Sequence, residues 1–313
     1  MEGLSIFAGG SNPVIAERIS DYLSKPLGKL KANTFSDGEI QVEIQENVRK
    51  QEVFVIQSTC NPVNRNLMEL LLLIDAFRRS SASRINAVIP YYGYARQDKK
   101  VEPRVPISAK LVADLLTNSG VNRVITLDLH AGQIQGFFDI PVDNLYAAPV
   151  IIENLRTQFT TEDIVVVSPD AGGVERARAF AKRLHASLAI VDKRRSAPNQ
   201  AKAMAIIGDV KDKVAIVLDD MVDTAGTLTE AAAVIKEKGA KEVHAYCTHP
   251  VLSGPAVDRI ENSDLSTLVA TDTIPLSKKA EQCEKIKTLS VAKLIGEAII
   301  RSYRGDSVNS LFI

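Results

Sequence analysis

The sequence has little of what several large classes of protein require. It contains no tryptophan, and phenylalanine and tyrosine supply only 5% of its 313 residues, so surfaces on which nucleic-acid bases stack are disfavoured. Lysine plus arginine and aspartate plus glutamate each total 38, so the formal net charge is zero. A protein that holds nucleic acid by bulk electrostatics needs an excess of positive charge. We therefore expect no nucleic-acid partner.

Cysteine, targeting segments and long apolar runs are also scarce. The three cysteines form no C-x-x-C pair, which is typical of isolated thiols in a reducing cytosol. The first residues, MEGLSIFAGGSN, lack the basic and apolar regions of a signal peptide. Apolar runs such as residues 70–74 are far shorter than the roughly 20 residues that span a membrane. We expect a soluble, cytoplasmic protein without a membrane partner.

Short apolar runs alternate with helical patterns along the whole chain. The predicted strands are residues 4–8, 52–57, 85–90, 123–128, 164–168, 188–191, 214–219, 242–248 and 266–270. The predicted helices include residues 62–79, 108–119, 174–185 and 227–238. This alternation predicts an α/β fold with mainly parallel sheets flanked by helices. The length favours two domains, with a break near residues 139–149, where two prolines interrupt the pattern.

The segment VAIVLDDMVDTAGTLT, residues 214–229, carries the most specific pattern. Its β-branched run ends in Asp219 and Asp220, and a turn of small and hydroxyl residues then leads into a helix. Such a turn exposes backbone N–H groups at a helix N-terminus and favours a bound phosphate, while the carboxylates can accept hydrogen bonds from sugar hydroxyls. Ordinary N-capping is the alternative. The eight-residue Walker A pattern is absent, so the segment is not a P-loop.

Two further strand ends carry polar groups. His130, in TLDLHAG, follows a predicted strand and is either a capping or core histidine or a group that helps hold magnesium or a phosphate. Asp170, in SPDAGG, precedes Gly172 and Gly173. This is either a plain Asp-Gly turn or a site where the carboxylate anchors a metal and the glycine N–H groups bind a pyrophosphate.

Two basic segments and one acidic turn are the remaining candidate functional segments. DKRR, residues 192–195, follows a predicted strand and is either a solvated turn or a source of cations for phosphoryl transfer. YYGYARQDKKVEPRVP, residues 91–106, is a long loop that is typical of an active-site lid. FSDGE, residues 35–39, predicts a hairpin turn, and Phe35 taken alone would be assigned to the core.

In this order the segments resemble the ribose-phosphate pyrophosphokinases (PRPP synthetases) of the phosphate-activated class I over essentially the whole chain. The matching stretches are FAGGSNP, FSDGEIQVEI, YYGYARQDKK, PISAKLVADLL, LDLHAGQIQGFF, SPDAGGVERA, DKRR and VLDDMVDTAGT. The resemblance implies an enzyme that transfers the β,γ-diphosphoryl group of MgATP to the C1 hydroxyl of ribose 5-phosphate. The products are PRPP, used in nucleotide and amino-acid biosynthesis, and AMP.

The resemblance also implies a role for each motif. The expected ribose 5-phosphate residues are Asp219, Asp220, Asp223, Thr224, Ala225, Gly226 and Thr227. The expected ATP residues are Phe35, stacked on adenine, with Asp37, Glu39, Arg96 and Gln97. His130 and Asp170 are expected to organise Mg²⁺, with two ions per site and one of them on ATP. Lys193 and Arg195 are expected to be the catalytic cations.

For the architecture, the resemblance implies two similar phosphoribosyltransferase type I-like domains. The first covers residues 1–145, joined by the C-terminal segment 298–313, and the second covers residues 146–297. It also implies a homohexamer with a site between subunits where inorganic phosphate activates and ADP inhibits. Arg49, Ser81, Ser307 and Ser310 are the candidates for that site.

Two rival hypotheses stay open on the residues alone. A phosphoribosyltransferase that consumes PRPP would share the DD…DTAGT turn but would not need FSDGE, ARQDKK and DKRR together. A non-catalytic subunit associated with PRPP synthetase would share the fold but should have lost catalytic positions, which this chain retains. One departure from many relatives is Glu102-Pro103 in the lid, where those relatives carry a more basic run.

Overall fold

The apolar runs of the sequence form the strands of separate sheets in the computed structural model, which describes residues 3–160, 163–194 and 203–312. The chain divides into two units. Unit 1 comprises Met1–Ala147, Thr273–Pro275 and Ser290–Ile313, and unit 2 comprises Ala148–Asp272 and Leu276–Leu289.

Unit 1 contains a five-stranded sheet, a hairpin and the helices around them. Its elements in chain order are β1 (Leu4–Ala8), α1 (Pro13–Leu23), β2 (Leu30–Thr34), β3 (Ile40–Ile44), β4 (Glu52–Ile56), α2 (Val63–Arg79), β5 (Arg84–Ile89), α3 (Ser108–Ser119), β6 (Arg123–Leu127) and β7 (Val142–Leu145). The sheet is wholly parallel in the order β1-β4-β5-β6-β7, and β2 and β3 pair antiparallel. Short 3₁₀ turns occupy Gly132–Phe137 and Asn309–Phe312.

Unit 2 contains a larger sheet. Its elements are α4 (Ala148–Gln158), β8 (Ile164–Ser168), α5 (Val174–Leu184), β9 (Ser187–Arg194), β10 (Ala203–Ile207), β11 (Val214–Val222), α6 (Gly226–Glu237), β12 (Glu242–Pro250), α7 (Ala256–Glu261), β13 (Thr267–Thr271), α8 (Lys278–Gln282) and β14 (Ile286–Leu289). The last helix, α9 (Ala292–Arg304), returns to unit 1. The strand order is β10-β9-β8-β11-β12-β13-β14, and within the described part of this sheet only the β9–β10 pair is antiparallel.

The order of strands in unit 2 reverses between β8 and β11. From β8 the chain builds outward through β9 and β10, and it then returns to the other side of β8 with β11 and builds outward through β12 to β14. Ligands of open α/β sheets bind at such a switch point, beyond the carboxyl ends of the two central strands. We therefore expect ligand-binding residues directly after β8 and at the end of β11.

The helices are held by apolar stripes. On α2, Leu70, Ile74 and Phe77 are buried in the core of unit 1, where the rings of Phe77 and Phe7 lie 4.6 Å apart between centroids. Burying each such side chain stabilises the fold by about 1.5–3 kcal/mol. In unit 2, α6 and α7 pack over the inner strands in a second core.

The predicted α/β class with mainly parallel sheets flanked by helices is confirmed. Several strand ends were predicted wrongly, and three of them by two residues or more: β9 continues to Arg194 rather than ending at 191, β11 continues to Val222 rather than 219, and β12 continues to Pro250 rather than 248. No helix in the described part of the chain is long and apolar enough to cross a membrane.

Candidate functional site

The two acids of VAIVLDDMV lie inside β11, where the strand extends beyond its neighbour. Pairing of β11 with β8 ends at Val217↔Val167, whereas pairing with β12 continues to Val222↔Pro250. The expectation that the strand ends at the acids is therefore wrong. Because β8 stops first, Asp219 and Asp220 nevertheless reach the edge of the switch-point crevice.

The acid pair is compact and partly buried. The side chain of Asp220 is 8% exposed and that of Asp219 31%, and the Asp220 N–H donates to Asp219 Oδ1 at 2.8 Å. An Arg176 guanidinium nitrogen, from α5, lies 3.5 Å from Asp219 Oδ1 and 3.3 Å from Asp220 Oδ1. Burial raises the pKa of Asp219, and the hydrogen bond and charge of Asp220 raise it further, while Arg176 lowers it.

The turn that follows β11 presents the N-terminus of α6. Ala225 adopts φ = 60°, in the left-handed region, and no side chain caps the helix that begins at Gly226. The Ser253 N–H donates to the Asp223 carbonyl at 3.0 Å, and Arg259 donates to the Thr224 carbonyl at 2.9 Å. Thr224 and Thr227 are exposed. The segment after β12 thus holds the turn in place by hydrogen bonds. The first N–H groups of α6 are open to an anion.

The SPDAGG turn follows β8, on the other side of the switch point. Asp170 Oδ1 accepts hydrogen bonds from the N–H groups of Gly172 and Gly173 at 2.9 and 3.0 Å. Ser168 Oγ donates to the Asp170 carbonyl at 2.7 Å, and a Cβ at position 173 would lie only 2.9 Å from that Oγ. The glycine N–H groups expected to bind pyrophosphate are therefore engaged by the carboxylate of their own turn.

The predicted catalytic cations fall at the limit of the described chain. Lys193 lies in β9 and pairs with Met204 of β10, so the DKRR cluster begins within a strand rather than after one. The side chain of Lys193 and the whole of Arg195 lie outside the described residues.

The predicted ATP residues belong to unit 1, where FSDGE joins β2 to β3. The Phe35 N–H donates to the Glu39 carbonyl at 2.8 Å, and the Glu39 N–H donates to Asp37 Oδ1 at 3.1 Å. Gly38 adopts φ = +96°. The hairpin turn is thus present, and Phe35 is 51% exposed rather than part of the core.

The long segment before α3 is a loop, as predicted. Arg96 is exposed in it, and Gln97 is tied to the start of α3, where its side chain accepts from Ser108 Oγ and its carbonyl accepts from the Ala109 N–H at 3.2 Å. His130 lies exposed after β6. This last position excludes the core-histidine alternative.

The described ranges contain no preformed metal site. In them, no group of three or more histidine, cysteine, aspartate or glutamate side chains is placed to hold a metal ion. Asp170 is an exposed carboxylate at a strand end, and Mg²⁺ prefers oxygen ligands and often binds through one or two carboxylates plus substrate phosphates. Asp170 fits that requirement, whereas the nitrogen of His130 fits it less well as a direct ligand.

The four candidate regulatory residues lie in unit 1, in two pairs. Lys50, next to Arg49, donates its N–H to the Ser81 carbonyl at 3.0 Å. Arg301 of α9 binds the other pair, donating to the Ser307 carbonyl at 3.0 Å and to Ser310 Oγ.

A cavity of about 260 Å³ in unit 2 lies apart from every predicted site residue, between α4 and strands β12 to β14. His244 faces it with both ring nitrogens bonded, to Thr267 and Glu242 at 2.8 Å each. Arg176 and Arg259 are not among the predicted site residues. Neither carries a local signal, since their partners are distant in sequence and only the folded sheet brings them together.

Comparison with known proteins covers both units. A family model described as the N-terminal domain of ribose phosphate pyrophosphokinase matches residues 4–120, and one described as a phosphoribosyl synthetase-associated domain matches residues 193–313. A ribose-phosphate pyrophosphokinase of Burkholderia pseudomallei is 59% identical over 312 residues, which cover 99% of this chain and 98% of that protein. One of Clostridium perfringens is 56% identical over 313 residues, with 99% and 98% covered.

A solved structure extends the match to three dimensions. The crystal structure of phosphoribosylpyrophosphate synthetase from Mycobacterium smegmatis is 41% identical, covers 97% of this chain and 100% of its own, and superimposes with a TM-score of 0.92. Identity at this level over nearly the full length shows that the chain belongs to the ribose-phosphate pyrophosphokinase family.

Proposed function

We propose that the chain transfers the β,γ-diphosphoryl group of ATP to the C1 hydroxyl of ribose 5-phosphate, giving PRPP and AMP. The observation that carries the proposal is the switch point of unit 2. There a partly buried carboxylate pair on β11 stands beside the uncapped N-terminus of α6. This combination suits a phosphorylated sugar, because the carboxylates accept from hydroxyls and the helix terminus attracts a phosphate.

The acceptor is held by the end of β11 and the following turn. Asp219 and Asp220 accept hydrogen bonds from the ribose hydroxyls, and the backbone from Asp223 to Thr227 holds the 5-phosphate. Fixing the sugar at both ends orients C1 and its hydroxyl, and such orientation can contribute about 7–11 kcal/mol to lowering a barrier.

The nucleotide is held by residues of unit 1. Phe35 stacks on adenine, for which its exposed ring is suited, and Asp37 and Glu39 accept from the base. Arg96 is an exposed cation on the loop before α3 and meets the triphosphate, with Gln97 beside it. The hydrogen bonds of Gln97 to the start of α3 orient this part of the loop.

Lys193 and Arg195 stabilise the charge that develops during transfer. The C1 oxygen forms a bond to the β-phosphorus and its proton is released, while the bond from that phosphorus to the α–β bridging oxygen breaks. Negative charge then builds on the departing AMP oxygen, where a cation lowers the barrier. No covalent intermediate with the protein is required.

Asp170 and His130 would hold magnesium, with two ions per site and one of them with ATP. Bound magnesium would neutralise phosphate charge. Asp170 also accepts hydrogen bonds from the N–H groups of Gly172 and Gly173. We infer that oxygens of an incoming pyrophosphate group share these N–H donors with the carboxylate, whose remaining lone pairs stay able to bind a cation.

Regulation and assembly follow the family. The chain forms a homohexamer that inorganic phosphate activates and ADP inhibits, through Arg49, Ser81, Ser307 and Ser310. The hydrogen bonds of Arg301 to the C-terminal pair support the proposal, because they hold the tail in a defined conformation.

The test is to incubate the purified protein with ribose 5-phosphate, MgATP and phosphate and to quantify both products. We expect AMP and PRPP in equal amounts and no AMP above background when ribose 5-phosphate is omitted. AMP that forms without the sugar, or an absence of PRPP, would contradict the proposal. A chain that instead consumes added PRPP with a base would support the rival phosphoribosyltransferase.

A further inference from the structure

Arg176 lies between two predicted subsites, the SPDAGG turn and the acid pair of β11, and no role in either has been assigned to it. It is the third residue of α5, which begins directly after the SPDAGG turn, and one of its guanidinium nitrogens approaches both acids of β11 within 3.5 Å. Its side chain is 30% exposed, so the cation lies largely inside the crevice wall.

The geometry points to Arg176 as a positioning residue for the acceptor: its guanidinium offsets the negative charge of Asp219 and Asp220 and orients their carboxylates toward the ribose hydroxyls. This inference rests on the proposed function, because it assumes that the acid pair binds the sugar. It adds a residue that contacts the pair rather than the reacting atoms.

The acid pair needs such a partner for electrostatic reasons. Two adjacent carboxylates that are withdrawn from water resist being ionised together, and burial and the charge of Asp220 raise the pKa of Asp219 accordingly. A protonated carboxyl would donate one of its hydrogen bonds and could accept fewer from the sugar. An arginine stays charged throughout the accessible pH range, and it contacts both acids at once.

Three elements contribute to the surroundings of the pair. Arg176 faces it from α5, Asp219 and Asp220 share β11, and Cys247 lies beside Asp219 on β12. Burial raises the pKa of the Cys247 thiol, so this neighbour stays neutral and supplies no compensating charge. β8 ends at Ser168, before the acids are reached.

Helix α5 also fixes where the guanidinium is. Its first turn continues directly from SPDAGG, because the Ala177 N–H donates to the Gly173 carbonyl at 3.0 Å and the Gly173 N–H donates to Asp170 Oδ1 at 3.0 Å. The sugar-binding acids are thereby oriented by an element that starts at the predicted pyrophosphate turn. This explains why the cation is carried by α5 and not by the strand itself.

The experiment compares Arg176→Met, Arg176→Lys and the control Arg178→Met, an exposed arginine on the same helix. For each protein the KM for ribose 5-phosphate, the KM for ATP and kcat are measured from about pH 6 to about pH 9. Binding of ribose 5-phosphate is measured in parallel by calorimetry, and thermal midpoints report the fold.

We expect Arg176→Met to raise the KM and Kd for ribose 5-phosphate by about tenfold or more, since a hydrogen bond to a charged group contributes on the order of 1.5–3 kcal/mol. The KM for ATP should stay within about twofold of the original. The acidic limb of kcat/KM for the sugar should move to higher pH, because loss of the cation leaves the acids harder to ionise. Arg176→Lys should restore the acidic limb, and Arg178→Met should behave as the unmodified chain.

If Arg176→Met lowers the thermal midpoint but leaves both KM values and the pH profile unchanged, the inference is overturned and Arg176 is a structural residue. Equal increases in both KM values would overturn it as well. An unmodified chain that binds ribose 5-phosphate but makes no AMP contradicts the proposed function alone, because the calorimetric comparison of variants still decides the role of Arg176.

Discussion

The balance of positive and negative charge in the candidate site depends on a few individual side chains. Asp219 and Asp220 are placed where they repel each other, and the fold tolerates this because Arg176 stands beside them. A raised carboxylate pKa in the folded state means that ionisation opposes folding. The acid pair is therefore better adapted to binding a ligand that donates hydrogen bonds than to stabilising the fold.

Neutralising one acid should consequently stabilise the protein while abolishing its activity. We expect Asp219→Asn to raise the thermal midpoint at alkaline pH, by about 2–4 °C for each kcal/mol of strain relieved. The gain should shrink as the pH falls toward about 3.9, where the unfolded aspartate also takes up a proton. Calorimetric scans across pH measure this, with the exposed Asp212→Asn as control. A lower midpoint for Asp219→Asn at alkaline pH would show that the ionised pair is favourable.

Lys193 is the residue on which the rate should depend most. We expect Lys193→Ala to lower kcat by about 10²–10³-fold, as the loss of one transition-state donor typically does, with the thermal midpoint retained. Steady-state kinetics and thermal scans on this variant and on Lys182→Ala, an exposed lysine of α5, provide the test. A rate for Lys193→Ala close to that of the control would remove Lys193 from the mechanism.

At this scale the sequence predicts residues whose motif is local and misses those that depend on tertiary contact. The carboxylates and the small-residue turn of DD…DTAGT are adjacent in the chain and can be read together. Arg176 lies more than 40 positions before the acids it contacts, and no spacing rule joins them. Phe35, assigned to the core from its residue type alone, is exposed because a tight hairpin turn carries it away from the sheet.

Among the elements, strand interiors were predicted well and strand ends poorly. The runs 4–8 and 164–168 coincide with β1 and β8, because buried parallel strands are nearly continuous β-branched stretches. The predicted end of β11 at Asp219 is wrong, because a polar residue need not end a strand. Pairing with β12 instead carries the backbone through both acids to Val222. Edge strand β10, short and partly exposed, gave no periodic signal.

The β2–β3 hairpin offers a test of an element. At Gly38, φ = +96° and nothing lies within 4 Å of an added Cβ, so Gly38→Ala perturbs the turn by backbone strain alone, at about 1–2 kcal/mol. We expect the KM for ATP to rise severalfold while the KM for ribose 5-phosphate is unchanged.

The control for that measurement is Gly136→Ala, which also has open space at the added Cβ but does not require positive φ. It should leave both constants as they are. If Gly38→Ala instead changed the KM for ribose 5-phosphate alone, the hairpin would not belong to the nucleotide site.

Across the whole molecule, the α/β class followed from the alternation of strands and helices, but the strand order did not. The reversal between β8 and β11 depends on which strands pair after a long crossover, and one sequence does not encode that choice locally. The order matters for function because it sets SPDAGG and the acid pair on neighbouring strands. In the same way, α9 belongs to unit 1 although it follows β14 of unit 2 in the chain.

The proposed activation by inorganic phosphate gives a test at the scale of the whole molecule. We expect Arg49→Gln to raise the phosphate concentration needed for half-maximal activity by about tenfold, as removal of one charged hydrogen bond implies, with kcat at saturating phosphate little changed. Phosphate titrations of initial rate measure this, and Arg65→Gln, an exposed change on α2, is the control. An unchanged phosphate dependence would exclude Arg49 from the regulatory site.

The central claim is that the C1 hydroxyl attacks the β-phosphorus of ATP. The direct measurement uses ATP labelled with ¹⁸O in the α–β bridge, followed by mass spectrometry of the products. We predict that the label is retained in AMP and absent from PRPP, because the bond between the β-phosphorus and the bridge breaks. Label that leaves with a pyrophosphate group would show attack at the α-phosphorus and would contradict the account.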